Sequence, residues 1–305
     1  YEVPNHKETF VSIETDKESS DAQVQLLYND LEKPKPTVTV NDYREDLVKG
    51  LFTTMLNNRL QELTNAPNPP FVYGYSYHGG TFARTKEAYQ SFAMMSEEKQ
   101  LEALKVLVTE NNRAKKFGFT QGELDRAKAE VIANYERTFK EKDKTNSERF
   151  VSEYQSYFLE NVPAPGIEWE FEAVKKMIPS ISLSETNGLI KNFIKDENRF
   201  VLLTGPEKEG LKKVTEAEVL AVINADDSGI TAYKETALAS SLIRKEIKAG
   251  SVVKKETNAK LGTTTLVLSN GAKVTYKKTD FKNDEVLMEG ISFGGSNLYS
   301  NEEIK

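Results

Sequence analysis

Apolar and polar residues alternate from Thr9 to Thr15 (Phe10, Val11, Ile13) and from Ala22 to Tyr28 (Val24, Leu26, Tyr28), the period-2 spacing of half-buried strands. Beyond the Pro34-Lys35-Pro36 break the spacing changes. Tyr43, Leu47, Leu51 and Met55, with Val48, Phe52, Leu56, Leu60 and Leu63, recur at i+3 and i+4, which predicts a long helix with a wide buried stripe and Asn41 as its N-cap. Prolines at 67, 69 and 70 end it, and residues 71–77 and 88–94 read as a strand pair joined through Gly79-Gly80.

A run of helices follows. Ser96 is placed to cap the first, with Glu97 and Glu98 set favourably against the dipole, and Gly118 stops it. Thr120 and Glu123 form a capping box ahead of Leu124, Ala127, Val131, Tyr135 and Phe139 on one helical face. A third helix starts at Asn146 or Ser147, with Phe150, Val151, Tyr154 and Phe158 on its apolar side, and a short fourth covers 168–177. Ser182 and Glu185 box a fifth, carrying Leu189, Ile190 and Phe193. Phe200 to Leu203 returns as a buried strand stopped by Gly205-Pro206, and Thr215 and Glu218 box a last helix to Ala225.

Strands and helices so segregated predict an α+β fold, an antiparallel-rich sheet covered by helices; a doubly wound parallel sheet needs strict βα alternation, which is absent. Residues 1–225 are therefore expected to be one domain. Residues 226–262, rich in Ser, Ala, Lys and Glu with a modest amphipathic stretch at Leu242, Ile243 and Ile247, read as a partly helical linker. Residues 263–305 read as a truncated β-meander: strands at 264–268 and 274–277 around an Asn270-Gly271 type I′ turn, and a third strand from Val286 to Phe293. Three strands with one bare face are marginal in water, so 264–293 is expected either to dock on the preceding domain or to self-associate by pairing with its copy in a neighbouring molecule.

With 305 residues and 38% hydrophobic content the chain can build real cores. Its net charge of −6, from 47 acids against 41 interspersed bases, offers no field for a polyanion, so nucleic acid is not an expected partner. No run of about 18 apolar residues spans a bilayer. The chain opens at Tyr1 without Met, which reads as an internal stretch whose upstream part would carry any signal peptide. Zero cysteines exclude disulfides and thiolate chemistry and suit a periplasm and a cytoplasm equally.

The candidates for chemistry are few. The two histidines, His6 and His78, lack the His-Glu-x-x-His or His-x-x-Glu-His spacing that puts two imidazoles one helical turn apart beside a carboxylate base. His78 reads as a turn histidine and His6 as part of a frayed terminus. Around Ser76 a nucleophile elbow would need glycine where His78 stands. Gly294-Gly295 lacks the Lys-Ser/Thr of a phosphate loop and reads as a turn. Tyr73, Tyr75 and Tyr77 share a strand face with Phe71; packing under a helix is the first reading and an aromatic ledge for peptide the second. No catalytic, cofactor-binding or metal-ligating residue, and no stoichiometric zinc, is expected here.

Three stretches carry a resemblance. Phe117-Gly118-Phe119-Thr120 through Glu123-Leu124 and Arg126-Ala127-Lys128 resembles a helix start in the second repeat of pitrilysin/insulinase zinc peptidases, the inverzincins. Asp196 to Arg199 leading into Phe200 to Pro206 resembles the strand closing that repeat, and Leu268 to Val274 around Asn270-Gly271 resembles the hairpin opening each odd-numbered repeat. The resemblance implies four α/β repeats in two halves closing on a chamber, with zinc held by His-x-x-Glu-His in the first. It places this chain as a non-catalytic second repeat, a linker and the start of a third, which walls the chamber and supports the catalytic repeat. Its partners would be the first and later repeats and, in the intact enzyme, a peptide substrate. The alternative it implies is a non-catalytic binding or assembly subunit whose zinc motif has decayed.

Overall fold

The computed structural model describes residues 2–235, 243, 246–292, 294–300 and 302–303. It divides into two units: the described residues of 1–136 with 147–240, and those of 137–146 with 241–305. Among the described residues no helix is long and apolar enough to cross a membrane.

The first unit is built on five strands: β1 (Phe10–Asp16), β2 (Ala22–Asn29), β3 (Tyr73–Gly80), β4 (Glu87–Met95) and β5 (Arg199–Pro206). Their order is β1-β5-β2-β4-β3, antiparallel except for β1 beside β5. Val24, Leu26 and Tyr28 of β2, Tyr89 and Ala93 of β4, and Val201 and Leu203 of β5 fill one face of the sheet. Three long helices share that core: α1 (Val40–Thr64), α2 (Gln100–Phe117) and α3 (Gln121–Lys140). The expected stripe on α1 is buried from Leu47 to Leu60. The helix starts two residues earlier than expected, with Thr39 and not Asn41 as its N-cap, because Thr39 and Asp42 close a capping box: Asp42 N–H donates to Thr39 Oγ1 at 3.1 Å and Thr39 N–H to Asp42 Oδ2 at 2.8 Å. Lys35, donating to the same carboxylate, is the main cause that holds Asp42 well below the usual range.

The expected box at Thr120 and Glu123 forms at the head of α3. Gly118, at φ +70°, takes the left-handed exit from α2, and its backbone lies so close to Asn187 that a Cβ would sit 2.8 Å from that amide. Ser96 makes no side-chain cap; it precedes a single 3₁₀ turn at Glu97–Lys99. The smaller helices are α4 (Ser147–Glu160), α5 (Ile167–Met177), α6 (Leu183–Gly188), α7 (Ile190–Phe193) and α8 (Glu216–Ile223). The expected fifth helix is thus two pieces separated at Leu189. Trp169 of α5 meets Tyr43 of α1 edge-on, ring centroids 5.1 Å apart.

One expectation about faces is overturned, and one apolar face is exposed. α4 is amphipathic, yet none of its residues is buried, and Val151, Tyr154, Tyr157 and Phe158 are exposed. On β3 the tyrosines point away from the helices. Gly74 and Ser76 take the helix side because only small residues fit there: a Cβ on Gly74 would meet the Phe71 ring at 2.7 Å, and Asn57 of α1 bonds Ser76 through both N–H (2.6 Å) and C=O (3.0 Å). β3 also runs on through Gly79 and Gly80, which pair with Ala88 and Glu87; the turn lies at 81–86, where Thr81 N–H donates to Lys86 O at 3.3 Å.

After α8 the chain is strapped back onto α1, α2 and α3. Lys116 donates to Asp227 at 2.6 Å, Arg113 to Thr231 O, Tyr233 Oη to Glu62 at 2.8 Å, and Arg126 to Glu235 at 2.9 Å. The Tyr233 ring covers the Arg59 guanidinium at 4.4 Å.

In the second unit β6 (Val252–Asn258), β7 (Thr263–Leu268) and β8 (Lys273–Tyr276) form an antiparallel sheet in that order. Its third strand comes from the stretch read as linker, since Val252 to Asn258 finds a partner in β7. Residues 286–292 carry no regular structure, and Phe293 lies outside the described residues. Leu242 also lies outside them, and no helix occurs among the described residues of 226–262. The hairpin turn is not type I′, because positive φ falls on Gly271 alone (+84°); Asn270 instead accepts from Ala272 N–H at 3.0 Å through its side chain.

Two more capping boxes make stability pH-dependent. Glu185, held by Arg44 at 2.6 Å and by Ser182, and Glu218, held by Lys212 at 2.5 Å and by Thr215, are both lowered to about 2. A carboxyl lowered by folding stabilises above its ordinary value and loses that contribution as pH falls through the folded one. The thermal midpoint should therefore drop between about pH 4.5 and 2, and Glu185→Gln should flatten that drop while lowering the midpoint at pH 7. An unchanged acid profile in the variant, followed by circular dichroism, would contradict this.

Candidate functional site

Neither histidine sits as expected. His6 is tied into the fold: its N–H donates to Asn198 Oδ1 at 3.2 Å, Asn198 N–H donates back to His6 O at 3.0 Å, and its ring stacks on Phe10 at 4.1 Å. His78 lies within β3, its side chain 6% exposed, stacked on Phe193 at 4.6 Å. Its Nε2 lies 2.8 Å from Asp30 Oδ2.

The structure brings Glu87 to this pair, so that donor atoms of Asp30, His78 and Glu87 all lie within 4.8 Å of one another. Asp30 follows the last residue of β2, Glu87 opens β4 and His78 belongs to β3. The backbone ties them further, Asp30 N–H donating to Glu87 O at 2.9 Å. They open on a cleft of about 520 Å³ whose lining has six carboxylates (Asp30, Glu32, Asp42, Glu45, Asp46, Glu87) and four ammonium groups (Lys33, Lys35, Lys49, Lys195). Lys86, buried beside the cluster and donating to Asn5 Oδ1 at 2.5 Å, has its pKa pushed down by that burial. The grouping is invisible along the chain, because positions 30, 78 and 87 become neighbours only through the strand order β2-β4-β3.

The other candidates resolve plainly. Ser76 is 1% exposed with its hydroxyl on Asn57, which is no place for a nucleophile. Gly295 starts a single 3₁₀ turn, Gly295–Leu298. A zinc-peptidase centre does not fit these residues: it needs two imidazoles one helical turn apart, whereas His6 precedes β1 and His78 sits in β3.

The sheet face opposite the helices carries the tyrosines. Tyr73, Tyr75 and Tyr77 follow one another at centroid spacings of 5.4 and 5.8 Å, and Tyr75 meets Phe92 of β4 at 5.2 Å. Gln25 and Gln90 bond each other at 2.7 Å on the neighbouring strands. None of these aromatic side chains belongs to the buried cluster. Partial burial and the adjacent phenols raise the Tyr75 pKa. The three tyrosines thus line the outer face of the sheet, while Phe71 packs in the core.

No protein-family model matches the chain. A curated Arabidopsis thaliana protein, "Zinc protease PQQL-like", is 27% identical over 301 residues, 97% of this chain and 28% of that protein. The crystal structure of the periplasmic protease PqqL from Escherichia coli shares the fold at a TM-score of 0.67 and 20% identity, over 91% of this chain and 31% of that one. A "Predicted insulinase family protease from Yersinia pestis" aligns at a TM-score of 0.56 and 13% identity, over 72% of this chain and 46% of that one. The chain thus spans under a third of the first two proteins it matches.

Proposed function

We propose that this chain is a non-catalytic structural segment of a zinc-dependent metalloendopeptidase of the pitrilysin/insulinase family, a reading supported by its likeness to the PQQL-like zinc protease and by the shared fold. It walls the substrate chamber and supports the catalytic repeat. The observation that carries this reading is the pairing of a family fold with a sequence that has only two histidines, on separate elements. In the intact enzyme zinc would activate water for peptide hydrolysis; this chain's residues contribute walls, with the Tyr73–Tyr75–Tyr77 ledge as the surface suited to extended peptide. Its partners are the catalytic first repeat and the later repeats of the same parent chain.

The test compares the 305-residue chain with the longer parent protein on an internally quenched unstructured peptide. The parent should cleave and lose activity with chelator; the segment alone should not cleave at any zinc concentration. Chelator-sensitive cleavage by the segment alone would overturn the reading. An inactive parent would turn it toward the binding or assembly subunit.

A further inference from the structure

Against the expectation from the sequence that the chain holds no metal ligand, we propose that Asp30, His78 and Glu87 form a divalent-cation site of the zinc class. The argument starts from rigidity. β3, β4 and the residue that follows β2 supply one donor each, the Asp30–Glu87 backbone bond fixes two of them, and the register Gly80–Glu87 and His78–Tyr89 fixes the third. The His78 ring is held by Phe193, which itself stacks on Tyr89 at 5.5 Å, so Nε2 points at Asp30 before any ion arrives. A site whose ligands are oriented in advance loses little side-chain freedom on binding.

The distances suit a tetrahedral ion after small side-chain movements. Zinc bonds of about 2.0–2.2 Å place neighbouring ligand atoms roughly 3.3–3.5 Å apart. The 2.8 Å His78–Asp30 contact would open by about 0.6 Å on that geometry, and Glu87, within 4.8 Å, would close by rotation alone. One imidazole with two carboxylates leaves a fourth position for water from the cleft, a donor set acceptable to zinc and manganese.

Charge points the same way. The cleft lining carries more acid than base, and three of its lysines are already engaged: Lys35 by Asp42, Lys49 by Asp46 and Lys33 by Glu2. The cations facing the cluster are Lys195, in the lining, and Lys86, which is turned to Asn5. Two carboxylates against one divalent ion neutralise each other, so those lysines are not asked to sit beside a net positive centre. The ion would take the place of the hydrogen bond between Nε2 and Oδ2, with the ring proton carried on Nδ1.

The test is equilibrium dialysis and calorimetry of the 305-residue chain with Zn²⁺, and with Mn²⁺ as a second probe, at pH 7.5. We expect one equivalent of zinc retained and at least about 10-fold weaker binding in His78→Ala and Glu87→Gln. His6→Ala should bind as the parent does. Glu87→Gln, at the cleft edge, keeps the test decisive if loss of the buried His78 ring unfolds the chain. No stoichiometric zinc in the parent chain, or equal retention in Glu87→Gln, would overturn the proposal. Peptidase activity plays no part in either outcome.

Discussion

Arg59→Met should cost the first unit roughly 3–5 kcal/mol of unfolding free energy, the cost of breaking one side of a buried ion pair. Arg59 is 2% exposed and grips Glu123 through two bonds, Nε to Oε1 at 2.6 Å and Nη2 to Oε2 at 2.9 Å, with Nη2 also on Gly118 O at 3.0 Å. Its guanidinium lies between the rings of Phe119 and Tyr233 at 4.6 and 4.4 Å. Methionine fills the volume but leaves the Glu123 carboxylate buried with only its capping-box contacts at Thr120. Adding Glu123→Gln should return part of the loss, because the stranded charge is gone. Urea unfolding of both variants checks this; a loss under about 1 kcal/mol for Arg59→Met would mean the site is wetter than its burial implies. The same substitution removes the ring partner of Tyr233, so proteolysis within 227–235 should quicken.

Phe52→Ala should be comparably severe, about 3–5 kcal/mol. Phe52 is fully buried where α1 meets the sheet, edge-on to Tyr89, Phe119 and Phe193 at 5.7, 5.4 and 5.1 Å. Three rings, from β4, α7 and the loop between α2 and α3, cannot all close on the void that alanine leaves. Phe158→Ala on α4 removes the same side chain from a site 82% exposed and should stay within about 0.5 kcal/mol. Equal losses at the two positions would mean that α4 is covered in solution by something these described residues do not include.

That contrast marks how far the sequence could be read. Periodicity identified α1 and α4 as amphipathic helices with the correct sides, because local spacing determines which residues share a face. It could not say which faces are covered, since burial depends on what lies opposite. Capping boxes at Thr120, Ser182 and Thr215 were legible because both partners lie within four residues; the box at Thr39 was missed because its acid is an Asp. The β3 tyrosines were assigned to the wrong face for the converse reason: Gly74 and Ser76 carry no apolar signal, yet their smallness lets α1 approach. β6 hid behind its lysines, which are tolerable in a strand with every residue exposed. The Asp30–His78–Glu87 group needed a strand order that no spacing contains.

The edge-on contact between Trp169 and Tyr43 gives the molecule a built-in optical reporter. Trp169 is the single tryptophan among 305 residues, so selective excitation near the red edge of the absorption band sees one indole in one environment. At 40% exposure its emission should sit between that of a buried and a free indole, and it should shift red when α5 leaves α1. Energy transfer from Tyr43 should fall in the same step, which gives a second reading of α5 undocking.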